Sequence, residues 1–74
     1  MNKWITYYLT KQGKRTNVWH VMTKYDILCL GEIRWLSRWR TYAFFPSPDI
    51  VLEDDCLFDI ANFIKRQMDE RKSK

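Results

Sequence analysis

The spacing of apolar and polar residues changes along the chain and divides it into a sheet-forming part and a helical part. β-Branched and aromatic residues concentrate in four short runs, which predict four strands. These runs cover residues 3–10, 17–24, 27–36 and 39–45. A charged stretch around Gly13, residues 11–15, predicts the first turn, and Tyr25-Asp26 predicts the second. Because consecutive strands with short connections usually lie side by side, the pattern indicates an antiparallel meander.

Apolar residues recur at helical spacing over about residues 54–71, after Pro46 and Pro48 have ended the last strand. One stripe at this spacing consists of Leu57, Ile60, Ala61, Ile64 and Met68. Acidic residues open the segment and basic residues close it, which matches the helix dipole. The sequence therefore predicts one amphipathic C-terminal helix.

The segment from Gly31 to Pro46 alternates aromatic and basic residues on two predicted strands. A two-residue loop at Ser37-Arg38 would place Trp35 opposite Arg40. One face would then present Ile33, Trp35, Tyr42 and Phe44. The other face would present Arg34, Leu36, Trp39, Thr41 and Phe45, among others. Since one helix covers only one face of a sheet, we expect it on the first face, with the second left open.

The predicted fold class is α+β: a three- or four-stranded antiparallel β-meander with one C-terminal helix packed on one face. With 74 residues the chain is expected to form a single domain, 1–74, whose small core uses most of its aromatic rings. Cys29 and Cys56 fall at positions expected to be apolar, so buried thiols are favoured over a disulfide.

Several classes of chemistry lack support in the sequence. His20 is the one histidine, and the chain has neither a CxxC pair nor a Gly-rich phosphate loop. The acidic residues Glu53, Asp54, Asp55 and Asp59 fit a helix start better than a metal site. We therefore expect a protein that is not an enzyme and uses no cofactor or metal. The N-terminus lacks signal-peptide features and no run reaches membrane-spanning length, which favours a cytoplasmic, reducing compartment.

Positive charge is concentrated in the sheet part. The formal net charge is +4, and the charged residues up to position 47 are mostly basic, whereas those after it are mostly acidic. An anionic partner is therefore favoured. Arg34, Arg38, Trp39 and Arg40 are the strongest candidates, because nucleic-acid binding needs cations for phosphate and flat rings for bases. The predicted turn adds Lys11, Lys14 and Arg15.

Two other interpretations of the aromatic and basic residues remain open. Trp39 and Phe45 could cover the second face of the sheet, with arginines lying over the rings. The same residues could anchor a protein interface, either in an inhibitor of a host or defence protein or as the seam of a homodimer. Composition does not separate nucleic acid from protein as the partner.

The segments LGEIRW, WRTYAFFP and CLFDIANFI resemble small proteins of unknown function encoded by phages and other mobile elements. The resemblance covers roughly residues 18–64. It implies an accessory role in the host-cell cytoplasm, such as binding DNA, inhibiting a host or defence protein, or sequestering a nucleotide signal. It transfers no catalytic or binding residue to this chain.

Overall fold

The computed structural model describes residues 4–24 and 28–72, and this part of the chain folds into four antiparallel strands and one helix. The elements are β1 (Ile5–Gln12), β2 (Asn17–Thr23), β3 (Cys29–Leu36), β4 (Thr41–Pro46) and α1 (Asp54–Lys72). The strands lie in the order β1-β2-β3-β4. This confirms the predicted α+β fold. The predicted turn at Tyr25-Asp26 and the predicted strand start at Ile27 lie outside the described residues.

The β3–β4 connection is a four-residue loop, residues 37–40, and not the predicted two-residue loop. The Trp39 amide donates to the Leu36 carbonyl, and the Arg40 amide donates to the Ser37 carbonyl, both at 3.2 Å. A two-residue loop favours glycine or asparagine at its centre, whereas this loop needs positive φ at Arg40 alone, where φ is 53°. Trp39 and Arg40 are therefore loop residues, and their predicted place in the fourth strand is wrong.

The loop is two residues longer than predicted, which shifts the pairing of β4 with β3 by two residues. Trp35 pairs with Tyr42, and Ile33 pairs with Phe44. Because side chains alternate with a period of two, a two-residue shift leaves every side chain on its predicted face. Ile33 and Tyr42 are buried beneath the helix, with Trp35 and Phe44 packed against the same core. The predicted core face of this hairpin is confirmed.

The first hairpin is longer than predicted. β1 continues to Gln12, so Lys11 is a strand residue that pairs with Val18 and not part of the turn. The Gly13 amide donates to the Thr16 carbonyl oxygen at 2.8 Å, which closes the turn. A Cβ atom at Gly13 would lie 2.6 Å from that same oxygen, so the tight turn requires glycine.

A bulge in β3 turns an additional residue into the core. Val21 pairs with Gly31 and Met22 pairs with Cys29, so Leu30 is the additional residue, and it is buried. Gly31 has a φ of 153°, and a Cβ atom there would lie 2.4 Å from the carbonyl oxygen of Phe45. Only glycine fits this close approach of two strands.

Helix α1 covers the sheet with a stripe that matches the predicted one in part: Ile60, Ile64 and Met68 pack against the core, as predicted. Its buried residues are Cys56, Ile60 and Phe63, while Leu57 is 51% exposed and Ala61 is exposed. The predicted burial of Leu57 is therefore wrong, whereas the predicted burial of Ile60 is confirmed. The reason lies in β1 and β2. The Phe63 ring packs against rings from those two strands, so Phe63 occupies a core position that the predicted stripe did not include.

The contacts of Phe63 are close. Tyr7 stacks on the Phe63 ring with centroids 4.0 Å apart and an interplanar angle of 8°. Trp19 meets the same ring edge-on at 5.2 Å. Such ring pairs contribute about 0.5–1.5 kcal/mol beyond the area that they bury. The two cysteines are thiols, with Cys56 buried and Cys29 half-buried, so the prediction that they form no disulfide is confirmed.

Candidate nucleic-acid interface

Three elements bring basic side chains to one end of the molecule. In an antiparallel meander the β1–β2 and β3–β4 loops lie at the same end of the sheet. The Arg71 guanidinium donates a hydrogen bond to the Arg15 carbonyl, which places the last turn of α1 there too. We call this region the basic end. Its cationic residues, among those that the structure describes, are Lys11, Lys14, Arg15, Arg38, Arg40, Arg71 and Lys72.

The structure brings six of the seven predicted ligand-binding residues to the basic end and leaves one elsewhere. The six are Lys11, Lys14, Arg15, Arg38, Trp39 and Arg40. Arg34 lies in β3, on the sheet face away from the helix. The grouping follows from the topology of the sheet. Its four strands alternate in direction, so the β1–β2 and β3–β4 loops lie at the same end.

Trp39 is the most exposed of the four tryptophans, with 71% of its surface accessible. It projects from the β3–β4 loop between Arg38 and Arg40, both also exposed. The interpretation in which Trp39 covers the second face of the sheet is therefore wrong. An exposed indole whose two sequence neighbours are exposed arginines offers a stacking surface in a positively charged loop.

The open face of the sheet carries a mixed-charge network. Glu32 contacts Arg34 at 2.9 Å between Oε1 and Nε, and it contacts His20 at 3.4 Å between Oε2 and Nε2. The Arg34 guanidinium lies 3.7 Å from the centroid of the Phe45 ring. Glu32 therefore offsets the charge of Arg34, and Arg34 covers Phe45. This face therefore presents less uncompensated positive charge to an anion than the basic end does.

A cleft of about 340 Å³ opens within the basic end, between the β1–β2 loop and the C-terminal half of α1. Its polar lining includes Lys14, Arg15, Asn17, Gln67, Glu70 and Arg71. The hydroxyl oxygen of Tyr42, also in the lining, accepts the Asn17 amide hydrogen at 3.1 Å. The guanidinium of Arg71 lies 4.2 Å from the centroid of the Trp35 ring. The cleft therefore combines cations, amides and one carboxylate.

The start of α1 carries the opposite charge. Carboxylate oxygens of Glu53, Asp54 and Asp55 lie within 4.8 Å of one another. Glu53 Oε1 accepts the Cys56 amide hydrogen at 2.8 Å, and hydrogen bonds from the Cys56 side chain and amide lower the pKa of Glu53. A 19-residue helix is about 28 Å long, so these residues lie far from the basic end. We call this region the acidic end; its carboxylates act as the cap that the sequence predicted.

Comparison with known proteins gives one informative match. The chain is 42% identical over 60 residues to a protein of Acholeplasma phage L2 named "Uncharacterized 9.3 kDa protein", a match that spans 81% of this chain and 77% of that protein. The chain belongs to the same family of small phage proteins. The resemblance drawn from the sequence is thereby confirmed. No family model and no solved structure matches the chain.

The lengths of the apolar runs in the sequence predict that this phage-family protein has no membrane-spanning segment. Over residues 4–24 and 28–72, no helix has the combination of length and apolar character that crossing a bilayer requires. The 19 residues of α1 are long enough but alternate apolar with charged positions.

Sequence reasoning missed the contribution of α1 to the basic end of this phage protein. Arg71 and Lys72 were explained through the helix dipole alone, and Asn17, Gln67 and Glu70 were not singled out. A signal was available. The helix follows β4, which runs away from the two hairpin loops, so a helix that returns across the sheet must end beside those loops.

Proposed function

We propose that this phage protein is a non-catalytic nucleic-acid-binding protein that holds the phosphate backbone at its basic end. The observation that supports the proposal most is that cations from β1, two loops and the helix terminus lie at the end of the molecule that also carries the exposed Trp39. Cations bind phosphate and displace its counterions, and an exposed ring stacks on a base of any sequence. Binding with little sequence preference follows from this combination.

The charge distribution supports one orientation of approach. The molecule measures 34 × 20 × 20 Å, and its basic and acidic ends lie at opposite ends of α1. A polyanion attracts the basic end and repels the acidic end, so it approaches the protein from the side of the basic end. Arg34 remains a candidate contact, but its pairing with Glu32 makes its contribution smaller than that of the two loop arginines.

The proposal is tested with a fluorescent single-stranded DNA and the double variant Arg38→Ala/Arg40→Ala. Exposed charges contribute little to folding, so the variant should keep the stability of the parent protein. It should bind about tenfold or more weakly, because two phosphate contacts are lost. Trp39→Ala should weaken binding by about 1–3 kcal/mol if a base stacks on the indole.

The matched control is Lys24→Ala/Lys65→Ala, which removes the same charge from two exposed positions outside the basic end. This control should bind nearly as well as the parent protein. Equal losses in the two double variants would show that net charge alone attracts the DNA, and the proposed interface would then be wrong.

A protein partner, such as a host or defence protein that this chain would inhibit, is the second candidate. The observation that favours it is again Trp39, since an exposed Trp beside arginines is a common anchor of protein interfaces. A homodimer would use the same ring, although Phe45 is a poorer anchor because Arg34 covers it. Such an interface depends weakly on salt, in contrast to phosphate contacts. With either partner, we place the protein in the cytoplasm of the phage host.

A further inference from the structure

We infer that the cleft in the basic end binds a single nucleotide, with its phosphate against the cationic residues of the lining and its sugar and base against the neutral and acidic ones. The inference deepens the proposed function, because it names the unit that this end of the protein recognises. The cleft has a volume of about 340 Å³. Small-molecule sites usually measure about 300–1,000 Å³, so this one has room for one nucleotide and not for a duplex.

One cation of the lining, Arg71, is arranged in advance of binding. The Arg71 guanidinium donates to the Arg15 carbonyl and also lies over the Trp35 ring, at 4.2 Å from its centroid. These two contacts fix the plane of the guanidinium, and the N–H groups not used for the Arg15 carbonyl can face a phosphate. An ordered arginine loses little further entropy when it binds an anion.

The β1–β2 loop adds two more cations to the lining. Lys14 and Arg15 lie in the tight turn that the Gly13 amide closes by donating to Thr16. Cations carried on a closed turn stay beside the cleft, so a phosphate placed next to Arg71 would have two more positive groups within reach of their long side chains.

The other polar groups of the lining suit a sugar or a base and not a second phosphate. Glu70 lines the cleft, and a carboxylate accepts hydrogen bonds but repels phosphate. Ribose hydroxyls and exocyclic amino groups are the donors that it fits. Asn17 and Gln67 can both donate and accept, as the edge of a base requires. A nucleotide carries both an anionic group and these donors, whereas inorganic phosphate carries only the anionic group.

Calorimetric titration of the full chain with the four ribonucleoside 5′-monophosphates tests the inference, with inorganic phosphate and adenosine as the comparison ligands. At least one nucleotide should bind about tenfold or more tightly than either comparison ligand, because only the nucleotide meets both the cations and the other polar groups of the lining. The variant Gln67→Trp, which fills the cleft without changing charge, should lose this binding. Asn62→Trp places the same ring at an exposed helix position outside the cleft and should bind nucleotides normally.

A folding defect in Gln67→Trp would leave Arg71→Gln as the second variant, and it should weaken nucleotide binding about tenfold or more. Nucleotides that bind no better than inorganic phosphate, or that bind Gln67→Trp and Arg71→Gln normally, would overturn the inference. If single-stranded DNA still bound in that case, the proposed function would stand without the cleft. Nucleotide binding without any DNA binding would support the cleft and overturn the proposed function instead.

Discussion

At the scale of single residues, Tyr7 links the edge of the sheet to the helix. Its hydroxyl donates a 2.5 Å hydrogen bond to Asp59 Oδ2 while its ring stacks on Phe63. Burial, together with the hydrogen bond to Asp59, raises the pKa of Tyr7 well above its ordinary value of 10.0. The phenol therefore stays protonated, and remains a donor, throughout the neutral and mildly alkaline range.

Replacing Tyr7 with Phe should keep the ring stacking and remove only the hydrogen bond. We expect the free energy of unfolding to fall by about 1 kcal/mol at neutral pH, a modest loss because the pair is only half-buried. Since the folded protein holds the proton more tightly than the unfolded chain, the benefit of Tyr7 is present below pH 10 and is lost as the pH rises further. Urea unfolding at neutral and strongly alkaline pH measures this, and a difference between the two proteins that grows with pH would contradict it.

Glu53 gives a second prediction, at acid pH. Hydrogen bonds from Cys56 lower its pKa below the ordinary 4.5, so its stabilising effect is present above that value and is lost as the pH falls through the folded pKa. Glu53→Gln retains an oxygen that can accept the Cys56 amide hydrogen but cannot titrate. The melting temperature of the parent protein should therefore fall more steeply below pH 4.5 than that of the variant. Parallel melting curves across the acid range would show that the cap is not linked to pH.

At the scale of elements, the sequence predicts the strands, the helix and the core face of the second hairpin, because alternation and helical spacing are local signals. Ile33 and Tyr42 lie on the predicted face although the predicted loop length was wrong. The strand register differs from the predicted one by two residues, and an even shift keeps side chains on the same face. The stripe of α1 was predicted from the helix and the second hairpin alone. Tyr7 and Trp19, which lie in β1 and β2, draw Phe63 inward, and no pattern within the helix records that contact.

The observed stripe predicts unequal costs for two neighbouring helix substitutions. Ile60 is 3% exposed and Leu57 is 51% exposed. Ile60→Ala should lower the free energy of unfolding by about 2–5 kcal/mol, since it opens a cavity in a small core. Leu57→Ala, the matched control, should cost less than about 1 kcal/mol because water already reaches that side chain. Chemical denaturation of both variants measures the difference, and similar losses would mean that α1 packs on the sheet with the originally predicted stripe.

At the scale of the whole molecule, charge is separated along α1. Residue types alone identified six of the cationic and aromatic groups at the basic end, because basic residues next to an exposable ring are visible in the sequence. Their convergence, the addition of Arg71 and Lys72, and the cleft beside them depend on where β4 returns the chain. Such long-range placement has no local sequence signal. The separation of Arg34 from this group likewise appears only when the strands are paired.

The salt dependence of single-stranded DNA binding tests the central claim most directly. If the basic end contacts about five phosphates, the logarithm of the binding constant should fall against the logarithm of salt concentration with a slope of about −3.5. Arg38→Ala/Arg40→Ala should flatten that slope by roughly one to two units, since each lost phosphate contact removes about 0.7. The account would be contradicted by a slope near zero, by the same slope in both proteins, or by no binding at about 50 mM salt, where phosphate contacts are strong.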